Sequence, residues 1–192
     1  MKTVLYGGAF DPPHLGHQAV AVAVLRQTEA ERLVIVPSGP RFDKAYKTAE
    51  RHRRRILELF TESFADPRIT LDTDFLDRHG ELGPTTTLGI DAHYSKKFGH
   101  RPFQVFGADV VPNMKVWDPA GRVEREVPKI LVIRNGEIPT ISNLVNFLLL
   151  DPNLPEAYKG LSSTEIRRRV SMGDYEGLPE NVARYVRETR AY

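Results

Sequence analysis

No cysteine occurs among the 192 residues. Disulfides, thiolate metal sites and cysteine nucleophiles are excluded together, and a reducing compartment is the natural expectation. Charge of one sign is scarce too. Lys and Arg number 27 against 25 Asp and Glu, a formal net of +2, which creates no field demanding a nucleic-acid partner. The longest apolar run, Leu144 to Leu150, is broken by Asn146 and falls far short of a bilayer. The opening residues reach Gly7-Gly8 before a secretory apolar region could form. No membrane partner is expected, and the expected address is the cytoplasm.

What is present suits one globular unit. The apolar fraction is 41% and the charged fraction 27%, with length enough for one sizeable core and too little for two. Short apolar runs alternate with segments of helical period, the rhythm of an α/β fold with a mainly parallel sheet. Strands are expected at Val4–Tyr6, Leu33–Val36, Phe103–Phe106 and Ile130–Ile133, with further pieces at Ile69–Leu71 and Asn146–Leu149. Helices are expected over Gln18–Arg26, Glu50–Phe64, Thr86–Phe98, Ser163–Met172 and Pro179–Thr189. Ser38–Thr48 and Asp151–Gly160 read as long loops, which in compact domains are often functional.

The most informative stretch runs Gly7-Gly8-Ala9-Phe10-Asp11-Pro12-Pro13-His14-Leu15-Gly16-His17, directly after a strand and at the opening of a helix. Glycines allow a tight turn and close approach of backbone to a ligand. The helix start directs N–H groups and its positive dipole end at an anion. His14 and His17, three residues apart, can face that anion together. A metal pair is disfavoured, because no third histidine or clustered carboxylate follows at ligand spacing. A second anion-binding candidate is Ser162-Ser163-Thr164-Glu165-Ile166-Arg167, where three hydroxyls gather at a helix start one turn from a planar cation. Read alone, that segment is an ordinary N-cap.

Together the two stretches resemble the signatures of the HxGH nucleotidylyltransferase superfamily. The first is similar to the GG-x-FDP-x-H-x-GH version of its pyridine-nucleotide branch, the second to I-SST-x-IR, with Leu161 in place of isoleucine. Ala9 departs from that branch, where a hydroxyl residue is common. The likeness extends from Val4 almost to the end and is greatest to bacterial nicotinate-mononucleotide adenylyltransferases. It implies a Rossmann-like, doubly wound sheet with helices on both faces. It also implies transfer of AMP from ATP, with Mg²⁺, to a mononucleotide acceptor in NAD biosynthesis.

By that resemblance His14, His17 and Arg167 are the catalytic candidates. Gly8, Ala9, Phe10, Lys44, Gly107, Asp109, Ser162, Ser163 and Thr164 would hold ATP. Thr86, Thr87, Trp117 and Arg134 would hold the acceptor. Asp109, at the end of a strand, reads equally as a helix cap or as a partner of ribose hydroxyls. Trp117 reads as a ring stacked on the acceptor or as a core aromatic. Lys44 is preferred over Lys47 on its loop. His52-Arg53 resembles a His-Arg pair of the family, and reads as well as part of an arginine-rich solvated face. The acceptor loop, Gly83-Pro84-Thr85-Thr86-Thr87-Leu88, lacks the tyrosine and aspartate of the nicotinate enzymes, which keeps nicotinamide mononucleotide in play. The rivals are a phosphopantetheine adenylyltransferase, a cytidylyltransferase and a non-catalytic nucleotide sensor. Oligomeric state stays open, a homo-oligomer included.

Overall fold

Short strands that are apolar on both sides need cover on both faces of their sheet. The computed structural model, which describes residues 1–39, 46, 48–118, 120–133 and 144–192, shows how that cover is arranged. The elements in order are β1 (Thr3–Gly8), α1 (Leu15–Gln27), β2 (Arg32–Pro37), α2 (Glu50–Glu62), β3 (Ile69–Leu71), α3 (Asp74–Asp77), α4 (His79–Leu82) and α5 (Thr87–Phe98). Then follow β4 (Phe103–Gly107), a 3-10 turn (Ala108–Asn113), α6 (Met114–Trp117), α7 (Arg122–Glu126), β5 (Lys129–Val132), β6 (Phe147–Leu150), α8 (Glu156–Lys159), α9 (Ser163–Ser171) and α10 (Glu180–Thr189).

The six strands form one sheet in the order β3-β2-β1-β4-β5-β6, and every pairing is parallel. This is the doubly wound arrangement, in which strand order reverses between β1 and β4. Successive side chains on a strand point to opposite faces. Val4, Leu33, Ile35, Ile130 and Val132 enter the larger core with α1, α2, α9 and α10. Leu5, Val34 and Val36 pack on the other face with Phe75, Ile90 and Tyr94. Leu131 joins Val111, Met114, Val123 and Leu144 in a third cluster.

The expected strands and long helices are all present, with ends shifted by a few residues. Two expectations change. The loop over 151–160 contains a helical turn, Glu156–Lys159, and buries Leu154. Gly7 and Gly8 extend β1 rather than turn, each in register with a residue of β2. Among the described residues no helix is long and apolar enough to cross a membrane.

One buried cation holds the far side of the sheet together. Lys129, at the start of β5, is fully buried, and its Nζ donates to the carbonyls of Glu124 and Val145, each at 3.0 Å. It thereby ties α7 to the approach of β6. Burial, reinforced by the nearby Arg101 charge, pulls this amine down to about 8 from an ordinary 10.5. Between those values the unfolded chain holds more protons than the folded one, so stability rises with pH across the window. Below it the whole burial cost remains. The difference in urea midpoint between wild type and Lys129→Met is therefore expected to move in the wild type's favour as pH rises from about 8 toward 10.5. A difference indifferent to pH would contradict this.

Candidate active site

Ligands of open parallel sheets bind outside the carboxyl ends of the strands where the strand order reverses. Here a cleft of about 780 Å³ opens beyond the ends of β1 and β4. Its lining includes Tyr6, Gly7, Gly8 and His17 on the first side, Thr85–Leu88 at the start of α5, Phe106 and Gly107, and the segment carrying Trp117, Asp118 and Arg122.

The loop between β1 and α1 is shaped by packing. Phe10 is buried and holds a positive φ of 46°, a conformation unusual for a side chain of that size. Its ring lies edge-on to Tyr6 and His17, with centroids 5.4 and 5.0 Å away. A Cβ on Gly8 would lie 3.0–3.2 Å from that ring, and one on Gly16 would meet His14 Nδ1 at 3.0 Å and the Tyr158 carbonyl at 3.3 Å. At either position a Cβ would force these neighbours to give by a few tenths of an ångström. At Gly7 a Cβ would find only ordinary contacts at 4.0 Å.

The two histidines play unequal parts. His17 lines the cleft, whereas His14 is 3% exposed and lies behind it, the two rings 3.7 Å apart. The His14 backbone N–H donates to His17 Nδ1 at 3.2 Å. That bond assigns the proton of the neutral His17 ring to Nε2. The helix start offers fewer N–H groups to an anion than its position suggests, since Leu15 N–H donates to the Gly177 carbonyl at 2.8 Å.

Beneath the loop lies a buried polar layer. Arg53 is only 2% exposed, so it is no part of a solvated face. Its Nη2 donates to the carbonyls of Ala9 and Ser38, each at 2.7 Å, and its guanidinium lies 3.8 Å from the centre of the Tyr46 ring. Burial pulls the guanidinium below its ordinary value, with Tyr46, Asp11 and Tyr192 opposing the shift. Ser38 in turn donates to the Gly8 carbonyl through its backbone N–H at 2.9 Å. The buried Asp11 carboxylate accepts from Thr48 at 2.8 Å and from Tyr192 at 3.0 Å. Burial and the Asp11 charge hold the Tyr192 phenol protonated well above the ordinary tyrosine range.

The far end of the chain closes on this same loop. Ser162 caps α9 by accepting the Glu165 N–H at 3.2 Å. Ser163 Oγ donates to the Pro12 carbonyl at 2.9 Å, and Arg167 Nη1 donates to the Asp11 carbonyl. Arg167 Nη2 also reaches Thr164 Oγ1 at 3.2 Å. Segments about 150 positions apart thus meet at one loop on the rim of one cleft.

The cytidylyltransferase-like family model matches residues 5–169 of this chain. The chain belongs to that family. It is therefore a nucleotidyltransferase. Curated relatives include a probable nicotinate-nucleotide adenylyltransferase of Leifsonia xyli subsp. xyli, 30% identical, covering 97% of this chain and 91% of the relative. Another of the same name, from Thermoanaerobacter sp. (strain X514), is 27% identical over 100% of this chain and 94% of its own length. Among solved structures, Plasmodium falciparum nicotinic acid mononucleotide adenylyltransferase complexed with NaAD superposes with a TM-score of 0.84 at 18% identity, covering 98% and 96% of the two chains. At that identity the likeness speaks for the fold.

Within this cytidylyltransferase-like frame the expected residues fall into three groups. Gly8, His17, Thr86, Thr87, Gly107 and Trp117 line the cleft. Ala9, Phe10, His14, Ser162, Ser163, Thr164 and Arg167 build or brace its rim without lining it, and Asp109 stands exposed at the start of the 3-10 turn. Lys44 and Arg134 lie outside the described residues. Sequence reasoning missed Ser38, Gln104 and Arg122 in the lining, and Tyr46 and Tyr192 beneath the loop. Ser38 could have been found, because it follows an expected strand at its carboxyl end, where parallel sheets bind ligands. Gln104, whose side chain donates to the Thr87 carbonyl at 3.2 Å, and Arg122 carry no local signal.

Removing the Arg53 guanidinium takes the buried donor from the Ala9 carbonyl and one of two donors from the Ser38 carbonyl, which also accepts from the Tyr46 hydroxyl at 3.1 Å. Arg53→Met is expected to lower the unfolding free energy by about 2–4 kcal/mol, read from urea unfolding. A loss under about 0.5 kcal/mol, the range of an ordinary surface change, would show that the clamp contributes little.

Proposed function

We propose that this chain transfers AMP from ATP to nicotinate mononucleotide with release of pyrophosphate, a step of NAD biosynthesis, acting as a single domain in the cytoplasm. The observation that carries the reading is the meeting of the two signature segments on one loop, through Ser163 to Pro12 and Arg167 to Asp11, beside a cleft at the strand-order reversal. The names of the curated relatives and the NaAD complex of the Plasmodium enzyme support the acceptor.

A 5′-phosphate oxygen of the acceptor attacks the α-phosphorus of ATP in line. The new P–O bond forms as the bond to the bridging oxygen breaks, and that electron pair departs with pyrophosphate. Such chemistry needs placement and charge stabilisation more than covalent participation. His17, with Nε2 carrying its donor proton, would meet the α-phosphate from the cleft wall, and His14 would set the angle of that ring from behind. Arg167 and Thr164, at the start of α9, would hold the leaving end, with Ser162 and Ser163 fixing that helix to the loop. Gly8, Ala9, Phe10 and Gly107 shape the path of the nucleotide, Asp109 would take its ribose, and Lys44 its outer phosphates. Thr86, Thr87, Trp117 and Arg134 would receive the acceptor. Imidazoles, hydroxyls and guanidinium suit phosphate oxygens rather than a cation, so Mg²⁺ would enter as part of the nucleotide substrate.

Nicotinamide mononucleotide is the second reading. The loop Gly83–Leu88 lacks the tyrosine and aspartate that accompany nicotinate in the resembling enzymes.

Incubation of the purified chain with ATP, Mg²⁺ and separate phosphorylated acceptors should yield pyrophosphate and a dinucleotide of the expected mass from nicotinate mononucleotide. His17→Ala should slow turnover by roughly a hundredfold or more with the thermal midpoint retained. Turnover surviving in that variant would take the imidazole out of the chemistry, and no product from any acceptor would end the proposal.

A further inference from the structure

We infer that Arg122 determines acceptor specificity by meeting an acidic group on the acceptor's ring, an inference that rests on the adenylyl-transfer reading above. Apart from the His17 imidazole, the charged side chains on the described cleft wall are Asp118 and Arg122. They are differently disposed. The Asp118 side chain is 7% exposed, and its Oδ2 accepts the backbone N–H groups of Arg122 and, at 3.0 Å, Val123 at the start of α7. The Arg122 side chain is 55% exposed, and its Nη2 stands 3.6 Å from Asp118 Oδ1, beyond hydrogen-bond reach. The two side chains form an ion pair, and no closer acceptor among the described residues engages this guanidinium. Two other arginines show the contrast: Arg101 makes a fork with Asp91, and Arg168 one with Glu165. Arg122 lines the cleft, loosely paired with one oxygen of a carboxylate whose other oxygen serves the backbone.

The occupant follows from the geometry of the reaction. The acceptor phosphate must reach the α-phosphorus beside Gly8 and His17, at the end of β1. With Trp117 as the wall for the acceptor ring, as in the reading above, the ribose spans from that phosphate toward the Trp117–Arg122 side. A ring carboxylate there receives two parallel N–H bonds from a guanidinium. A ring carboxamide offers one oxygen and turns its own NH₂ donors against donors. The same side chain therefore favours the acid over the amide.

Wild type, Arg122→Ala and Arg122→Glu are to be compared for kcat/KM with nicotinate and nicotinamide mononucleotides, and for direct calorimetric binding of each. Arg122→Ala leaves the Asp118 cap intact, because the cap uses backbone N–H groups. Expected is a loss of about tenfold in kcat/KM and affinity for the acid, carried by KM, with the amide and the KM for ATP changed less than about twofold. Arg122→Glu should push the preference further toward the amide, and Arg122→Lys should restore part of it. Equal losses on both acceptors, an unchanged ratio, or wild-type binding that does not favour the acid would each overturn the inference. A wild-type chain that binds the acid through Arg122 and yet transfers nothing would count against the proposed activity alone.

Discussion

The carbonyl oxygens of the loop between β1 and α1 are what the rest of the site depends on. A backbone that leaves a sheet to surround an anion turns its N–H groups toward the ligand and its carbonyls away, into the protein, where each needs a donor. Those donors are side chains from distant segments: Arg53 of α2 on Ala9, Arg167 of α9 on Asp11, and Ser163 on Pro12. Gly8 is held by Ser38 from the end of β2. Three elements converge because one loop must be satisfied from behind.

That arrangement explains why an arginine is buried at all. A guanidinium can serve two carbonyls in one plane, stack on Tyr46 and stay charged despite desolvation. It also sits near the Asp11 carboxylate, which Thr48 and Tyr192 hold by hydroxyl groups. The layer places buried positive charge below the position where phosphate charge would develop, on the opposite side from solvent. The same logic makes His14 a buried residue: its backbone N–H sets the ring of His17, and His17 alone of the pair reaches the cleft.

On the other wall the same cation chemistry is left open. Asp118 caps α7 with the backbone as its partner, and α7 is anchored through Lys129 to the approach of β6. Arg122 is thus mounted on a short but fixed helix and lines the cleft. One wall of the site is closed by internal hydrogen bonds, and the other carries an exposed guanidinium held only by a loose ion pair.

Apolar runs of three or four residues, separated by helical periods, were enough to establish a parallel α/β sheet, because hydrophobic periodicity is a local property of the chain. The two signature stretches were legible for the same reason, each being contiguous. The roles of Arg53, Tyr46 and Tyr192 were not legible. In sequence Arg53 stands among four arginines of α2, and nothing local distinguishes the one that turns inward from those that pair with Asp77 or Glu58 at the surface. Burial is decided by which face of α2 meets the loop, and so by strand order and helix packing. The unequal burial of His14 and His17, and the exposure of Arg122 to the cleft, belong to tertiary structure on the same grounds. The sequence by itself determined the sheet, its helices and the two signature segments; packing across the strand-order reversal decided which side chains support the loop and which face the cleft.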